Sequence, residues 1–412
     1  MAKKSDVPEF GMLSGVKVAF QAVSVAGPFF GTMCADHGAD VVWIEPAAFD
    51  PIDRSGEPLF LEQDRRNMRS LKVDVRTEEG REVFLKLLAD VDIFLEGSKG
   101  GTYERWGLTD EVLWEANPKL VIIHLSGFGL WGDEDYVTRA SYDPIAQAFG
   151  GMMYANYAEG EAPRAASAVV GDYYSGLMAF GSGLAGYIKA LRTGQGESIE
   201  VTQFESVLRC MCDKAIGAWN YDDDHPMKFK PGNFNGHTAG YNSYLCGDGD
   251  YVYLLVFGAS VMEKACKIMG VEWGSDDFPV APIYRDFSPE GKRWDAVLGK
   301  FCMDHTAKEV EAIFSKAGIP AMCMMKFEDM LENPHYKARE SIIKIHANLF
   351  DRDLYVSNIV PKAKNAPGKI WRQAPHGGED TVDILTDLGY SAEEIDGLIE
   401  DGAVAKYTPS AE

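Results

Sequence analysis

The apolar and polar positions near the start of the chain predict a strand, a helix and a second strand. Residues 15–21 and 39–46 are short apolar runs, and residues 27–38 between them have a helical pattern that ends at a glycine. Short apolar runs bounded by turns are typical of buried strands, and a glycine often ends a helix. The chain is therefore expected to open with a β-α-β unit.

The same alternation continues through the first third of the chain. Thr77 is predicted to start an amphipathic helix, and a strand is predicted after it over 91–96. A further helix is predicted over 108–117, where Pro118 stops it, and another apolar run comes next. The polar stretch 62–75 is interpreted as an excursion between elements. This alternation predicts an α/β fold with a doubly wound, Rossmann-like parallel sheet.

The character of the chain changes near residue 221, where a turn-rich stretch begins. Residues 241–258 are predicted to form two strands joined at Gly-Asp-Gly-Asp, and helical patterns follow them. The remaining chain has the composition of folded protein and should pack back on the body. We therefore expect a large domain over 1–220, a smaller α+β domain over 221–325, and a C-terminal segment over 326–412 that returns to the large domain.

The charge of the chain argues against nucleic acid and membrane partners. Its 63 acidic and 40 basic residues give a formal net charge of −23. A surface this negative repels nucleic acid and anionic membranes, so an anionic ligand would need a local basic pocket. No run of eighteen uncharged apolar residues indicates a membrane span, and the first residues lack the apolar core of an export signal.

The seven cysteines show no paired spacing of the kind that holds a metal. They are interpreted as reduced thiols in a cytoplasmic protein. The chain also lacks the GxGxxG, GxxxxGK[ST], HExxH and GxSxG motifs. We therefore do not expect dinucleotide binding through a glycine-rich GxGxxG loop, nucleotide binding through a P-loop, zinc peptidase chemistry or the nucleophile elbow of serine hydrolases.

Three glycine-containing segments, 96–101, 126–129 and 171–174, each follow an apolar run. Ligands of doubly wound sheets bind at the carboxyl ends of strands, so the three segments could converge on one crevice, or each could be an ordinary turn. Asp172 lies in the third segment. Its local sequence fits a helix cap, and it also fits a carboxylate held at a strand-to-helix junction to attack a substrate.

The basic side chains and one histidine are further candidates for a role in a binding or catalytic site. Lys99 lies in the segment 96–101 and Arg105 shortly after it, and Arg65, Arg66 and Arg69 form a basic cluster. Such bases could bind a phosphorylated ligand, or they could be solvated surface charges. His124 lies within an apolar run and is expected to be a hydrogen-bonded core imidazole rather than a catalytic base.

Several segments, taken in order, resemble the class III CoA-transferases, and the similarity extends over nearly the whole chain. Within that family the chain is most similar to the carnitine CoA-transferases. The segments are "RRNMRSLKVDV", "EGREVFLKLL", "VDIFLEGSKGG", "LTDEVLWEANPKLVIIHLSGFG", "YDPIAQAFGG", "GDYYSGL", "TGQGESIEV", "NPHYKARESI" and "PGKIWR".

The resemblance implies roles for particular residues. Asp172 matches the nucleophilic aspartate of the family, and Lys99 matches its CoA-contacting lysine. An arginine of the family falls on Arg105 or on Trp106, depending on the member compared, and carnitine enzymes have arginine at both positions. The remaining CoA contacts implied by the resemblance are Val73, Asp74, Val75, Arg76, Tyr142 and Asp143.

The resemblance also implies an activity. The enzyme would move CoA from an acyl-CoA to a free carboxylic acid through an aspartyl-CoA thioester, with no permanently bound cofactor and no metal. The large domain would bind CoA, and two chains would form an interlocked homodimer. Acyl-CoA racemases share the fold but carry a histidine where this chain has Tyr142, which favours transfer. A non-catalytic CoA-binding subunit is the other alternative.

The acids implied are carnitine, crotonobetaine and γ-butyrobetaine, with other short-chain or 2-hydroxy acids as the alternative. Aromatic faces bind trimethylammonium groups, because such a cation has no hydrogen-bond donor. The tyrosines predicted for this role, with the alternative that they fill a core, are Tyr173, Tyr174, Tyr241 and Tyr244.

Overall fold

The computed structural model describes residues 7–48, 58–157, 160–229 and 237–409. The strands in these ranges are β1 (Lys17–Gln21), β2 (Asp40–Glu45), β3 (Arg69–Val73), β4 (Ile93–Glu96), β5 (Val121–Ser126), β6 (Glu197–Thr202), β7 (Tyr241–Leu245), β8 (Tyr251–Leu255), β9 (Ala321–Cys323), β10 (Ile342–Ala347), β11 (Arg352–Ser357) and β12 (Val404–Ala405). The helices are α1 (Ala26–Asp36), α2 (Phe60–Asp64), α3 (Glu78–Leu88), α4 (Thr102–Arg105), α5 (Asp110–Ala116), α6 (Glu134–Val137), α7 (Asp143–Phe149), α8 (Met152–Asn156), α9 (Val170–Thr193), α10 (Gln203–Arg209), α11 (Asp213–Asn220), α12 (Ala259–Met269), α13 (Pro289–Met303), α14 (Ala307–Lys316), α15 (Phe327–Glu332), α16 (Pro334–Ala338), α17 (Thr381–Asp387) and α18 (Ala392–Glu400).

The chain divides into two units. The described residues within Met1–Met153, Ala165–Met211 and Ala338–Glu412 form the first unit, and those within Tyr154–Arg164 and Cys212–Lys337 form the second. The long stretches of the two units therefore change over at 211/212 and 337/338, whereas the sequence placed its boundaries at 220/221 and 325/326. The domain assignment made from the sequence stays a prediction.

The first unit contains a seven-stranded sheet in the order β12-β3-β2-β1-β4-β5-β6. Its strands β1 to β6 pair in parallel, and only the short β12 pairs antiparallel within the described sheet. The chain runs outward from β1 through β2 to β3, and then returns to β4 on the other side of β1. This reversal is the strand order of a doubly wound sheet.

Helices cover both faces of this sheet. On one face, α3, α5 and α17 bury side chains such as Phe84, Leu113 and Leu385 against the strands. On the other face, α1 and α9 bury Phe30 and Ala179. Parallel sheets require cover on both sides because their strands are apolar on both faces. The predicted α/β fold class is confirmed.

Most of the predicted local elements are confirmed, and their start and stop residues act as expected. The Thr77 hydroxyl accepts a hydrogen bond from the Gly80 amide at 3.0 Å, which caps the start of α3. Helix α5 ends at Ala116, two residues before Pro118. The β1-α1-β2 unit and strands β4 and β5 lie where the apolar pattern predicts them.

The interpretation of residues 62–75 as a polar excursion is wrong, because this stretch contains the buried strand β3. Its buried polar side chains have ion-pair or hydrogen-bond partners inside the protein. Arg69 donates to Asp40 at 2.8 Å, and the Ser70 hydroxyl donates to Glu45 at 2.6 Å. A buried arginine is tolerated when a carboxylate pairs with it. A hydropathy pattern cannot register such partners, since they are remote in sequence.

The second unit contains an antiparallel sheet in the order β7-β8-β9. Strands β7 and β8 flank the Gly-Asp-Gly-Asp turn, so the predicted hairpin is confirmed. Helices α12, α13 and α14 pack on this sheet around the fully buried Trp294, whose indole N–H donates to the Val256 carbonyl at 3.1 Å.

The C-terminal segment completes the first unit. Strand β12 pairs antiparallel with β3, with Val404 opposite Val73. Helix α17 places Leu385 in the same core as β3, where it is fully buried. The end of the chain therefore covers the edge of the parallel sheet.

Candidate active site

A cleft lies at the carboxyl edge of the parallel sheet of the first unit. The cleft lies where the strand order reverses, between β1 and β4, and encloses a cavity of about 230 Å³. This reversal point is where doubly wound sheets bind their ligands. The lining residues lie in 22–27, 97–99, 125–127 and 139–142, together with Asp172 and Gln203.

The three glycine-containing segments meet at this cleft, as the sequence suggested, but the third does so differently. Gly97 and Gly127 follow β4 and β5, whereas Asp172 follows an irregular stretch rather than a strand. Asp172 lies in the first turn of α9 and is 4% exposed. Helix α9 reaches the cleft because small residues let it approach α1. A Cβ at Gly176 would lie 2.8 Å from a ring atom of Phe29.

Asp143, and not Asp172, caps the start of α9. Its Oδ1 accepts from the Gly171 amide at 2.6 Å and from the Asp172 amide at 3.3 Å. Its Oδ2 accepts from the Gln147 side chain at 2.6 Å, so both oxygens are held. The capping interpretation of Asp172 is therefore wrong. The Asp172 carboxylate is available to the cleft because a neighbouring carboxylate takes the capping role.

The environment of Asp172 weakens its ionisation at neutral pH. Burial raises the pKa of this carboxyl, and the nearby charge of Asp143 raises it further. A hydrogen bond from the Gln203 amide opposes both effects, and the resulting pKa is about 7. A carboxyl that titrates near neutral pH in a cleft is a feature of functional sites.

Gln203 is a site residue that the sequence did not reveal. Its side-chain N–H donates to Oδ1 of Asp172, and its carbonyl oxygen accepts from the Ser141 hydroxyl at 3.0 Å. Gln203 directly follows β6, an edge strand whose mixed burial gives only a weak sequence pattern. Recognising β6 would have placed Gln203 at the same sheet edge as the other site residues. Ser141 packs against the turn that follows β5, since a Cβ added at Gly127 would lie 2.0 Å from the Cβ of Ser141.

The remaining CoA contacts implied by the resemblance occupy different positions. Lys99 and Tyr142 are exposed and line the cleft with Asp172. Arg105 is exposed at the end of α4, where it donates to the Thr102 hydroxyl at 2.9 Å, outside the cleft lining. Trp106 packs on Tyr103 at a ring distance of 5.4 Å. Asp143 faces α9 rather than the solvent, so its contact with CoA stays a prediction.

Residues 73–76 lie at the carboxyl end of β3, on the same sheet edge as the cleft. Val73 and Val75 are buried in the core. Arg76 forms an ion pair with Asp74 at 2.7 Å, and the hydrogen bond from Arg76 lowers the pKa of Asp74. The Arg76 side chain is 57% exposed, which leaves it accessible to a ligand.

The arginine cluster is neither a phosphate site nor a surface patch. Arg66 pairs with Asp36 at 2.6 Å and Arg69 with Asp40 at 2.8 Å, and all four side chains are largely buried. Arg65 stacks 4.5 Å from the centre of the Trp43 ring and donates to the Val23 carbonyl at 2.6 Å. Arg65 therefore supports the loop after β1 that lines the cleft.

His124 is a buried, hydrogen-bonded imidazole, as expected. Its ring nitrogens lie 2.9 Å from Glu96 and 3.0 Å from Asp110. Burial lowers the pKa of His124, but the hydrogen bonds and charges of the two carboxylates outweigh burial and raise it to about 10. Glu96 also accepts from the Ser98 amide at 2.8 Å. The imidazolium thus helps to fix the loop that carries Lys99.

The tyrosines proposed to bind a betaine have mixed environments. Tyr173 packs edge-on against Phe29, and its hydroxyl donates to Asp64 at 3.1 Å. Tyr244 is buried in the core of the second unit and donates to Asp295 at 2.5 Å. Tyr241, on the second unit, stacks with Phe257 at a ring distance of 5.8 Å. Tyr173 and Tyr244 therefore have structural roles.

One cleft residue without a role from the sequence is Arg139. It is exposed, stacks 4.0 Å from the centre of the Tyr136 ring and lines the cleft with Asp172.

Across the described ranges, no three metal-binding side chains lie close enough to hold an ion. A search of the same ranges finds no helix long and apolar enough to span a membrane.

Comparisons with known proteins agree with this geometry. Residues 13–381 match the family model of CoA-transferase family III. The structure is similar to that of a CaiB/BaiF family protein from Brucella suis, with 26% identity, coverage of 92% of this chain and 100% of that one, and a TM-score of 0.75. It shares its fold with Rv3272 from Mycobacterium tuberculosis, at 19% identity, coverage of 91% and 99%, and a TM-score of 0.77.

Proposed function

The chain belongs to CoA-transferase family III, and on that premise we propose that it transfers CoA through a covalent thioester at Asp172. As a class III CoA-transferase it uses an acyl-CoA and a carboxylic acid as substrates. The observation that carries the proposal is a buried carboxylate, with a pKa of about 7, in a cleft at the sheet's reversal point. A carboxylate so placed is a suitable nucleophile once it is ionised.

The proposed reaction has four steps. An Asp172 oxygen attacks the thioester carbon, the carbon–sulfur bond breaks, and a mixed anhydride and a CoA thiolate form. The thiolate then attacks the aspartyl carbon, releasing the acyl group as a carboxylate and leaving an aspartyl-CoA thioester. The acceptor carboxylate attacks the aspartyl carbon of this thioester, the carbon–sulfur bond breaks, and a second anhydride and the CoA thiolate form. The thiolate finally attacks the new acyl carbon, which forms the product and regenerates Asp172.

Trapping the intermediate tests this proposal. Enzyme incubated with acyl-CoA and hydroxylamine should carry a hydroxamate on Asp172, which peptide mass spectrometry can locate. Asp172→Ala should lose transfer by several orders of magnitude, because the covalent route is removed. Asp304→Ala changes an exposed carboxylate directly after α13 and serves as the control. Near-normal turnover of Asp172→Ala would refute the proposal.

The racemase alternative has less support. Two-base proton exchange at an α-carbon needs a second base opposite Asp172. The described residues that line the cleft include no histidine, and Tyr142 stands where racemases have one. Hydrogen–deuterium exchange at the α-carbon of a 2-methylacyl-CoA, without any acceptor acid, would favour the racemase reading. A non-catalytic subunit would form no adduct in the trapping experiment.

The similarity to carnitine enzymes supports betaines as the acids, and we propose CoA transfer among carnitine, crotonobetaine and γ-butyrobetaine. A second candidate is an acid with an additional carboxylate, because the cationic Arg139 and Lys99 line the cleft. A mixed panel of betaines and of neutral, 2-hydroxy and dicarboxylic acids, followed by mass, separates the two. Preference for 4-methylpentanoate over γ-butyrobetaine would reject the betaines.

We also propose a homodimer, which light scattering can test.

A further inference from the structure

The side-chain amide of Gln203 contacts the carboxylate that the proposed function makes the nucleophile. We propose that Gln203 is a second catalytic residue, whose N–H stabilises the oxyanion that forms on Asp172 when CoA attacks the aspartyl carbon. The proposal rests on the proposed function and adds a group that acts on the aspartyl half of the reaction. It assigns to Gln203 a role in chemistry rather than in substrate binding.

The orientation of the Gln203 amide follows from its two partners. Gln203 is 6% exposed, and its N–H donates to Oδ1 of Asp172. Its carbonyl oxygen accepts from the Ser141 hydroxyl at 3.0 Å. An ionised carboxylate can only accept hydrogen bonds, so the amide nitrogen must face Asp172. The amide is thus held in place before the reaction, as electrostatic stabilisation requires.

The contact divides the two oxygens of Asp172 between two tasks. With Oδ1 bound by Gln203, Oδ2 is the oxygen free to attack the acyl carbon, and it becomes the bridging oxygen of the anhydride. Oδ1 is then the carbonyl oxygen of the aspartyl group. When the CoA thiolate adds to the aspartyl carbon, the electron pair of that carbonyl moves onto Oδ1. The negative charge therefore develops on the atom that already accepts from Gln203.

The same hydrogen bond acts before the reaction begins. Burial and the charge of Asp143 disfavour the ionised form of Asp172, and the Gln203 hydrogen bond favours it. Asp143 from α7 is the charged group that acts on the pKa of Asp172, and the cationic Lys99 and Arg139 line the same cleft. Loss of the Gln203 N–H should raise the pKa of Asp172. The rising limb of the activity–pH profile should then move to higher pH.

The test compares variants of Gln203 in the full-length enzyme. Gln203→Met keeps the length of the side chain but removes the N–H donor. Gln203→Asn keeps the amide but shortens the side chain by one methylene, which moves the donor away from Asp172. Both should lower kcat by roughly 100-fold to 1,000-fold, the usual effect of losing one oxyanion donor. The KM for acyl-CoA should change by less than about threefold, because the contact is to the enzyme and not to CoA. Ser206→Ala, on the same helix, is the control and should retain activity.

Single-turnover mass spectrometry gives the decisive readout. Formation of the aspartyl-CoA adduct should slow in both variants in proportion to kcat, and the pH limb should move upward. Ser141→Ala should have a smaller effect of the same kind, since it only orients the amide. An adduct rate within threefold of the parent in Gln203→Met would overturn the inference but leave the proposed function intact. An Asp172→Ala enzyme that still transfers CoA would instead overturn the proposed function.

Discussion

At the scale of single residues, Asp172 shows how a site gives up stability for reactivity. Its carboxyl is buried beside Asp143, and the fold supplies one hydrogen bond from Gln203 rather than a counter-ion among its described partners. The buried carboxylate of Asp36, by contrast, forms an ion pair with Arg66. Poorly compensated charge lowers stability, and it also leaves the carboxylate reactive.

The substitution Asp172→Asn should therefore stabilise the folded protein. The pKa of Asp172 is about 7 when folded and near its ordinary value of 3.8 when unfolded, so the folded state holds the proton more tightly. The contribution of this group to stability thus falls as pH rises from about 4 to about 7. At pH 8 the variant should gain roughly 2 to 4 kcal/mol. Thermal unfolding at pH 5 and pH 8 should show a Tm gain that is larger at pH 8, and an equal gain at both would contradict the assignment.

The bases predicted to contact CoA should affect binding rather than chemistry. Replacing Lys99 or Arg105 with Met should raise the KM for acyl-CoA roughly tenfold, as expected for loss of a charged hydrogen bond, and should change kcat little. Lys119→Met is a matched control, because this exposed lysine precedes β5 and lies at the opposite edge of the sheet. Unchanged KM values in both variants would identify Lys99 and Arg105 as ordinary surface charges.

At the scale of elements, the sequence reveals those whose burial is uniform. Strands β1, β2, β4 and β5 are apolar, so a simple pattern predicts them. The same pattern misses β3, because its arginine is neutralised by Asp40 from a remote part of the chain.

The pattern also misses β6, which is half-exposed at the sheet edge. The missed β6 is the reason that Gln203 could not be predicted. Local sequence left Asp172 as either a helix cap or a nucleophile, and the resemblance favoured the nucleophile. The capping of α9 by Asp143 depends on a contact between α7 and α9 that local sequence does not contain.

The His124 network, which joins β4, β5 and α5, should contribute strongly to stability. His124→Leu leaves Glu96 buried without its cation, which should cost roughly 3 to 5 kcal/mol at pH 7. The pKa of His124 is raised to about 10 when folded, so its contribution is complete below about pH 6.5 and is lost as pH rises through 10. Urea unfolding at pH 7 and pH 9.5 should show a smaller difference from the parent at the higher pH.

The exposed His346 offers a control for this variant. It pairs with Asp351 at 3.3 Å, and exposed pairs contribute about 1 kcal/mol or less. His346→Leu should therefore change the unfolding free energy little at either pH. If the two histidine variants lost equal stability, the buried network would have no special role.

At the scale of the whole molecule, the end of the chain supports residues near its beginning. The Asp74 amide donates to the Ala403 carbonyl at 2.8 Å, and Val404 pairs with Val73. These contacts fix the start of the segment 73–76, to which the resemblance assigns contacts with CoA. The C-terminal segment therefore links the folding of the first unit to the predicted CoA site.

Deleting residues 391–412 should separate this support from the chemistry. The deletion removes α18 and β12 and exposes the edge of β3, and loss of the buried Ile395 and Val404 should cost about 3 to 6 kcal/mol. Soluble enzyme should show a lower Tm and a raised KM for acyl-CoA, with kcat less affected, because Asp172 lies on other elements. Deletion of residues 408–412 keeps Tyr407 stacked 4.2 Å from His376 and should match the parent. A longer deletion with parental Tm and KM would show that the end of the chain supports neither the sheet nor the site.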